Sequence, residues 1–175
     1  MQKYKNKVFN IDSENIFPPN QVFLKHNFDF LLTIGGNLVD NEIEYNNLMN
    51  VLKKIGETEF YILENTNDKM PFFEKVSVNS NFDYFQNIGK NYDLHFGWSL
   101  GDFFIFGEND NWGIYICECP AINIIGCDKK LINSFQNIYG IKDNGYDDLK
   151  EFISKEFQQK NDLINLFEKN YNLCL

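Results

Sequence analysis

Cys117, Cys119 and Cys127, with His95 upstream, are the residues whose types could most readily do chemistry. Thiolates and imidazole are the ligands of structural zinc. The spacing argues against that use. In an extended strand Cys117 and Cys119 point to one face about 6.6 Å apart, too far for a disulfide or a shared zinc ion. A C-x-C also lacks the turn that C-x-x-C supplies. A Cys–His nucleophile needs a thiol whose pKa is lowered by positive surroundings, and Glu118 beside Cys119 acts the other way. The cysteines are therefore expected to pack as small apolar residues in a reducing compartment, with no metal and no cofactor.

Carboxylates form the second set. Asp102, Glu108 and Asp110 gather around one hairpin, and Asp143, Asp147 and Asp148 around "DNGYDD". A glycosidase needs two carboxylates facing one cleft at a defined separation, whereas carboxylates beside a turn commonly solvate it. "GENDNWG" places Trp112 where a calcium loop needs a third oxygen ligand. "TIGGN" has two glycines but neither the third glycine nor the lysine of a phosphate loop. No G-x-S-x-G, H-E-x-x-H or paired C-x-x-C occurs. The chain reads as a binding protein, not an enzyme. A small-molecule enzyme built on His95, Asp102 and a cysteine is the remaining catalytic alternative.

The chain carries a net charge of -9, and all sixteen of its cationic residues are lysine. A negative field repels phosphates, and arginine, the usual bidentate reader of phosphate and guanine, is absent, so nucleic acid is not the expected ligand. An acidic surface attracts basic partners, nucleases among them. Trp98 and Trp112 bracket the hairpin "SLGDFFIFGENDN". They either pair across the sheet or leave one ring at the hairpin end among Asp102, Glu108 and Asp110. The second arrangement would be an acidic aromatic hot spot, which Asp143, Asp147 and Asp148 could extend. No apolar run is long enough to cross a membrane, and the basic start lacks a signal-peptide core, so a cytoplasmic protein, favoured as a monomer, is expected.

These residues need elements to position them. A chain of 175 residues, 43% hydrophobic, is one domain's worth of core. Residues 1–20 read as an extended arm broken by "FPP", residues 21–127 as a strand-rich region with one helix, and residues 128–175 as helical. "FDFLLTI" alternates as a strand. Asn41 and Glu44 cap a helix with Ile43, Leu48, Val51, Leu52 and Ile55 as its stripe, stopped by Gly56. "EFYILEN" and "FFEKVSVN" are short strands, and "NFDYFQNIGKNYD" is ambiguous between a helical turn and a loop. "DFFIFG", "WGIYICE" and "AINIIG" form an antiparallel meander, with Pro120 at its last bend. Asp128 is placed as the cap of "LINSFQNIY", which ends at Gly140, and two more helices follow. The expected architecture is α+β, a single domain with a mainly antiparallel sheet of about five or six strands, helices packed on one face, and a helical C-terminal region.

The block "LHFGWSLGDFFIFGENDNWGIYICECPAINIIGCDKKLINSF", about a quarter of the chain, resembles the strand-rich segment of small bacterial immunity proteins that accompany polymorphic or contact-dependent toxins. The resemblance rests on its "F-G-W...F-G...W-G-I-Y" pattern. It implies an acidic cytosolic α+β protein that neutralises a cognate toxin by binding, without catalysis. The partner it implies is a basic toxin domain, and a nuclease is the expected one. The alternative binding function is that of a phage or mobile-element protein that engages a host factor by imitating nucleic acid charge.

Overall fold

The computed structural model describes residues 7–11, 18–24, 27–35, 39, 41–66, 71–91, 101–117, 121–158 and 160–173. Six strands form one antiparallel sheet: β1 (Asp29–Ile34), β2 (Glu59–Glu64), β3 (Phe73–Ser77), β4 (Phe103–Phe106), β5 (Trp112–Cys117) and β6 (Ile122–Cys127), in the order β1-β6-β5-β4-β2-β3. The meander β4–β5–β6 sits at its centre, with Ile105 opposite Ile114 and Ile114 opposite Ile125. Among the described residues there are also five helices: α1 (Glu42–Lys54), α2 (Phe82–Asn91), α3 (Ile132–Tyr139), α4 (Tyr146–Glu156) and α5 (Lys160–Tyr171). The α+β class, the strand number and the helical C-terminal region match the sequence reading.

Side chains alternate across a strand, so each strand feeds two cores. Phe60, Ile62, Phe103, Ile105, Trp112, Ile114, Ile116, Ile125 and Cys127 face one side, packed with Tyr45, Leu48 and Leu52 of α1, Phe85 of α2 and Phe135 of α3. Phe104, Phe106, Tyr115, Ile122 and Ile124 face the other, packed with Leu149 and Ile153 of α4 and Phe167 and Tyr171 of α5. Helices thus lie on both faces, which corrects the one-face expectation. The reason was available in "WGIYIC" and "INIIGC": all six residues of each are buried, as near-continuous apolar runs require.

The N-terminal arm packs on the second face. Phe9 bridges Phe23, and Asn10 N–H donates to Val22 O at 2.9 Å while Leu24 N–H donates to Val8 O at 2.8 Å. The ribbon lies close because Gly113 and Gly126 have no side chain beneath it; a Cβ on Gly113 would come within 2.6 Å of Val8 Cγ1 and 2.7 Å of Phe9 Cζ. Tyr171 OH anchors the arm to α5 by donating to Asn20 O at 2.5 Å. The outer edge of β1 is closed by the α3–α4 loop, where Leu32 N–H donates to Asn144 O at 2.9 Å. Gly145, at φ 77°, follows so closely that a Cβ there would lie 2.1 Å from Leu32 O.

Local signals explain the helices, with three departures. Asn41 caps α1 and its side chain accepts from Glu44 N–H at 3.0 Å, as expected. Ile43, however, is 75% exposed, and the inward stripe is Tyr45, Leu48, Met49, Val51 and Leu52. At about 100° per residue, position 43 sits off the i, i+3, i+4, i+7 line that Tyr45 begins. The ambiguous segment is α2, capped by Asn81, whose side chain accepts from Tyr84 N–H at 2.9 Å. Asp128 does not cap α3 with its side chain: its carbonyl closes a turn with Leu131 N–H at 2.8 Å, and the helix begins at Ile132. Gly140 ends α3 at φ 65°, as the sequence predicts.

Candidate functional site

The β4–β5 turn is built from below by a buried acid. Trp112 is wholly buried, and its Nε1–H donates to Glu57 Oε1 at 2.9 Å. Asn109 Nδ2 donates to the same oxygen at 3.4 Å. Gly107 passes between them, since a Cβ there would meet Glu57 Oε1 at 2.6 Å and Trp112 Nε1 at 2.7 Å. Trp112 packs on Phe135 of α3, with ring centroids 6.1 Å apart. Trp112 is therefore not the exposed ring of the second arrangement, which corrects its inclusion in the acidic aromatic hot spot. Position 112 has the parity of Ile114 and Ile116, so its indole faces the α1–α3 core. Trp98, together with His95, Cys119 and Pro120, lies outside the described residues.

The hairpin carboxylates do not form one group. Asp102 precedes β4 and Glu108 follows it, so the strand separates them by roughly 20 Å at about 3.3 Å per residue. Asp102 accepts from Tyr115 OH at 2.9 Å, and that hydroxyl accepts from Asn65 Nδ2 at 2.8 Å. Burial first, then the Asp102 charge, pushes the Tyr115 hydroxyl far above its ordinary range. Asp102 is thus engaged in holding the far end of the sheet.

Glu108 stands at the opposite end, on the second face. Tyr61 OH donates to its Oε1 at 3.0 Å, and Lys75 Nζ lies 3.3 Å from the same oxygen while also paired with Glu59. The Tyr61 hydrogen bond, then Lys75, holds the Glu108 carboxyl below its ordinary range. Partial burial and the bond to Glu108 raise the Tyr61 hydroxyl. The Tyr61 ring packs on Phe73 of β3 (5.7 Å, 23°) and on Phe106 of β4 (5.5 Å, 28°); Tyr61 and Phe73 form a partly open floor, whereas Phe106 is buried against Phe9. Lys75 Nζ sits 5.7 Å from the Tyr61 centroid. The side chains around this floor are open to solvent: Glu108 is 58% exposed, Lys75 41% and Glu59 39%. Asp110, next along the turn, pairs with Lys7 at 3.0 Å.

Asp143, Asp147 and Asp148 line a separate open cleft of about 420 Å³ with Lys142, Tyr146 and Leu173. Asp147 pairs with Lys150 at 2.6 Å, and Lys150 lies 4.4 Å over the Tyr146 ring. This loop borders β1, three strand spacings or roughly 14 Å from β4, so it does not extend the Glu108 group.

Cys117 and Cys127 are buried on opposite faces of the sheet. Burial, reinforced by Asp29 and Asp128, pushes the Cys127 thiol up to about 12, which suits packing and not nucleophilic attack. Among the described residues no three His, Cys, Asp or Glu side chains are placed to hold a metal ion.

Sequence reading missed Glu57, Glu59, Tyr61, Phe73 and Lys75. The alternation in "ETEFYILE" and "FFEKVS" puts Glu59, Tyr61 and Lys75 on one face. Nothing in those letters pairs that face with Glu108, 47 positions beyond Tyr61. No family model, curated protein or solved structure matches this chain.

Proposed function

We propose that this chain is a non-catalytic binding protein that neutralises a basic partner, acting as an immunity protein against a cognate toxin, with a nuclease as the expected target. The observation that carries the reading is the partly open aromatic pair Tyr61 and Phe73, rimmed by the exposed carboxylates Glu59 and Glu108, on a chain of net charge -9. Aromatic area supplies the desolvated centre that binding energy needs, and a ring of charge steers the encounter and fixes orientation. A nuclease must present a positive cleft to hold phosphates, so its surface is complementary to this one.

Co-expression with the product of the gene immediately upstream tests the proposal. Growth rescue with recovery of a stoichiometric complex on one tagged bait is the expected outcome. Unrescued growth with no complex would defeat it. Binding to several unrelated nucleic-acid enzymes would instead favour the charge-mimicking host-factor protein, because an immunity protein is selective for one toxin.

A further inference from the structure

Lys75 occupies a position that, on a binding surface, would belong to a partner. Its ammonium lies over the Tyr61 ring and between two carboxylates, Glu59 on β2 and Glu108 beyond β4. The fit is incomplete. At 5.7 Å from the ring centroid Lys75 is near the outer limit of a cation–π contact, about 6 Å, and one ammonium must serve both acids. A guanidinium is planar and carries five N–H donors in a fixed fork, enough to reach both carboxylates together from the place beside the Tyr61 ring that the ammonium fills. The chain has no arginine of its own, so this arrangement cannot be completed from within. Beside Tyr61 the Phe73 ring is also partly open, which gives apolar side chains flanking such a group a surface to cover.

Resting on the proposed function, we infer that this face is the partner-docking surface, and that an arginine of the basic partner takes the place over Tyr61 between Glu59 and Glu108 by displacing Lys75. Lys75 keeps the two acids paired until the partner arrives. It thereby lowers the apparent affinity by the fraction of time it fills the place.

Titration of the full chain with an acetylated, amidated tetra-arginine peptide, followed by backbone and aromatic NMR shifts, tests the inference. Shifts should concentrate at Tyr61, Phe73, Lys75 and Glu108. The exposed substitution Lys75→Met should tighten binding about three- to tenfold. Lys150→Met removes the same charge beside Asp147 and should change affinity less than twofold. Shifts confined to Asp143–Asp148, equal tightening by the two lysine substitutions, or equal affinity for tetra-lysine would each overturn it. The two proposals fail separately. Arginine binding at Tyr61 without rescue from any toxin defeats the immunity reading alone. Rescue that survives Glu59→Lys with Glu108→Lys defeats the docking surface alone.

Discussion

The two faces of the sheet receive similar side chains and treat them differently. On the first, α1, α2 and α3 bury Phe60, Phe103 and Trp112 completely, and the one polar atom of the tryptophan ends on a buried carboxylate. On the second, the arm and α4–α5 cover β1, β6 and β5, while Tyr61 and Phe73 on β2 and β3 stay partly open with charged residues around them. The same alternation that makes one side a core makes the other a surface wherever the covering elements stop. The first face is sealed by its helices, and the proposed docking surface lies where the second is left partly open.

The largest effect should follow from emptying the sealed face. Trp112→Ala should cost about 3–5 kcal/mol, read as a lower denaturant midpoint, because it leaves a cavity and strips Glu57 of its indole partner. Glu57→Ala should cost roughly 1–3 kcal/mol by leaving the Trp112 N–H buried and unpaired. A Glu57→Ala midpoint equal to wild type would show that the clamp under the turn carries no weight. Gly113→Ala tests the covered half of the second face. The new methyl collides with Val8 and Phe9, so we expect a loss of about 1–3 kcal/mol and faster proteolysis of the arm.

Cys127 distinguishes sealed from open without mutation. With its thiol pushed up to about 12 by burial, it should resist alkylation at pH 8 in the folded chain and react only on unfolding. The smallest effect belongs to the open floor. Tyr61→Phe should change stability by less than about 0.5 kcal/mol, since the bond it removes is on the surface. It should, however, let the Glu108 pKa climb back toward the ordinary carboxylate range, measured by NMR titration. The sign is fixed: a lowered folded pKa means the Glu108 contacts are complete above the ordinary range and are lost as pH falls through the folded value.

Sequence periodicity made the meander, α1 and the C-terminal helices legible because each is a local pattern. Side-chain partners across the sheet were less legible. Trp112 and Glu108 are four residues apart in one turn, yet strand parity sends the indole to the core, while Glu108 projects to solvent from the turn itself. Asp102 looked like a neighbour of Glu108 by spacing, but the strand between them sets them at opposite ends. Helices on two faces were implied by the unbroken apolar runs of β5 and β6, a stronger indicator than the order of elements along the chain.

The central claim is that a basic partner is held on the open half of the second face. Growth rescue by stability-matched charge-reversal variants tests it most directly, with Glu59→Lys and Glu108→Lys combined in one and Asp147→Lys and Asp148→Lys in the other. The account predicts that the first variant loses protection and complex formation while the second retains both. Protection retained by the first and lost by the second would place the partner at the α3–α4 loop and contradict the account.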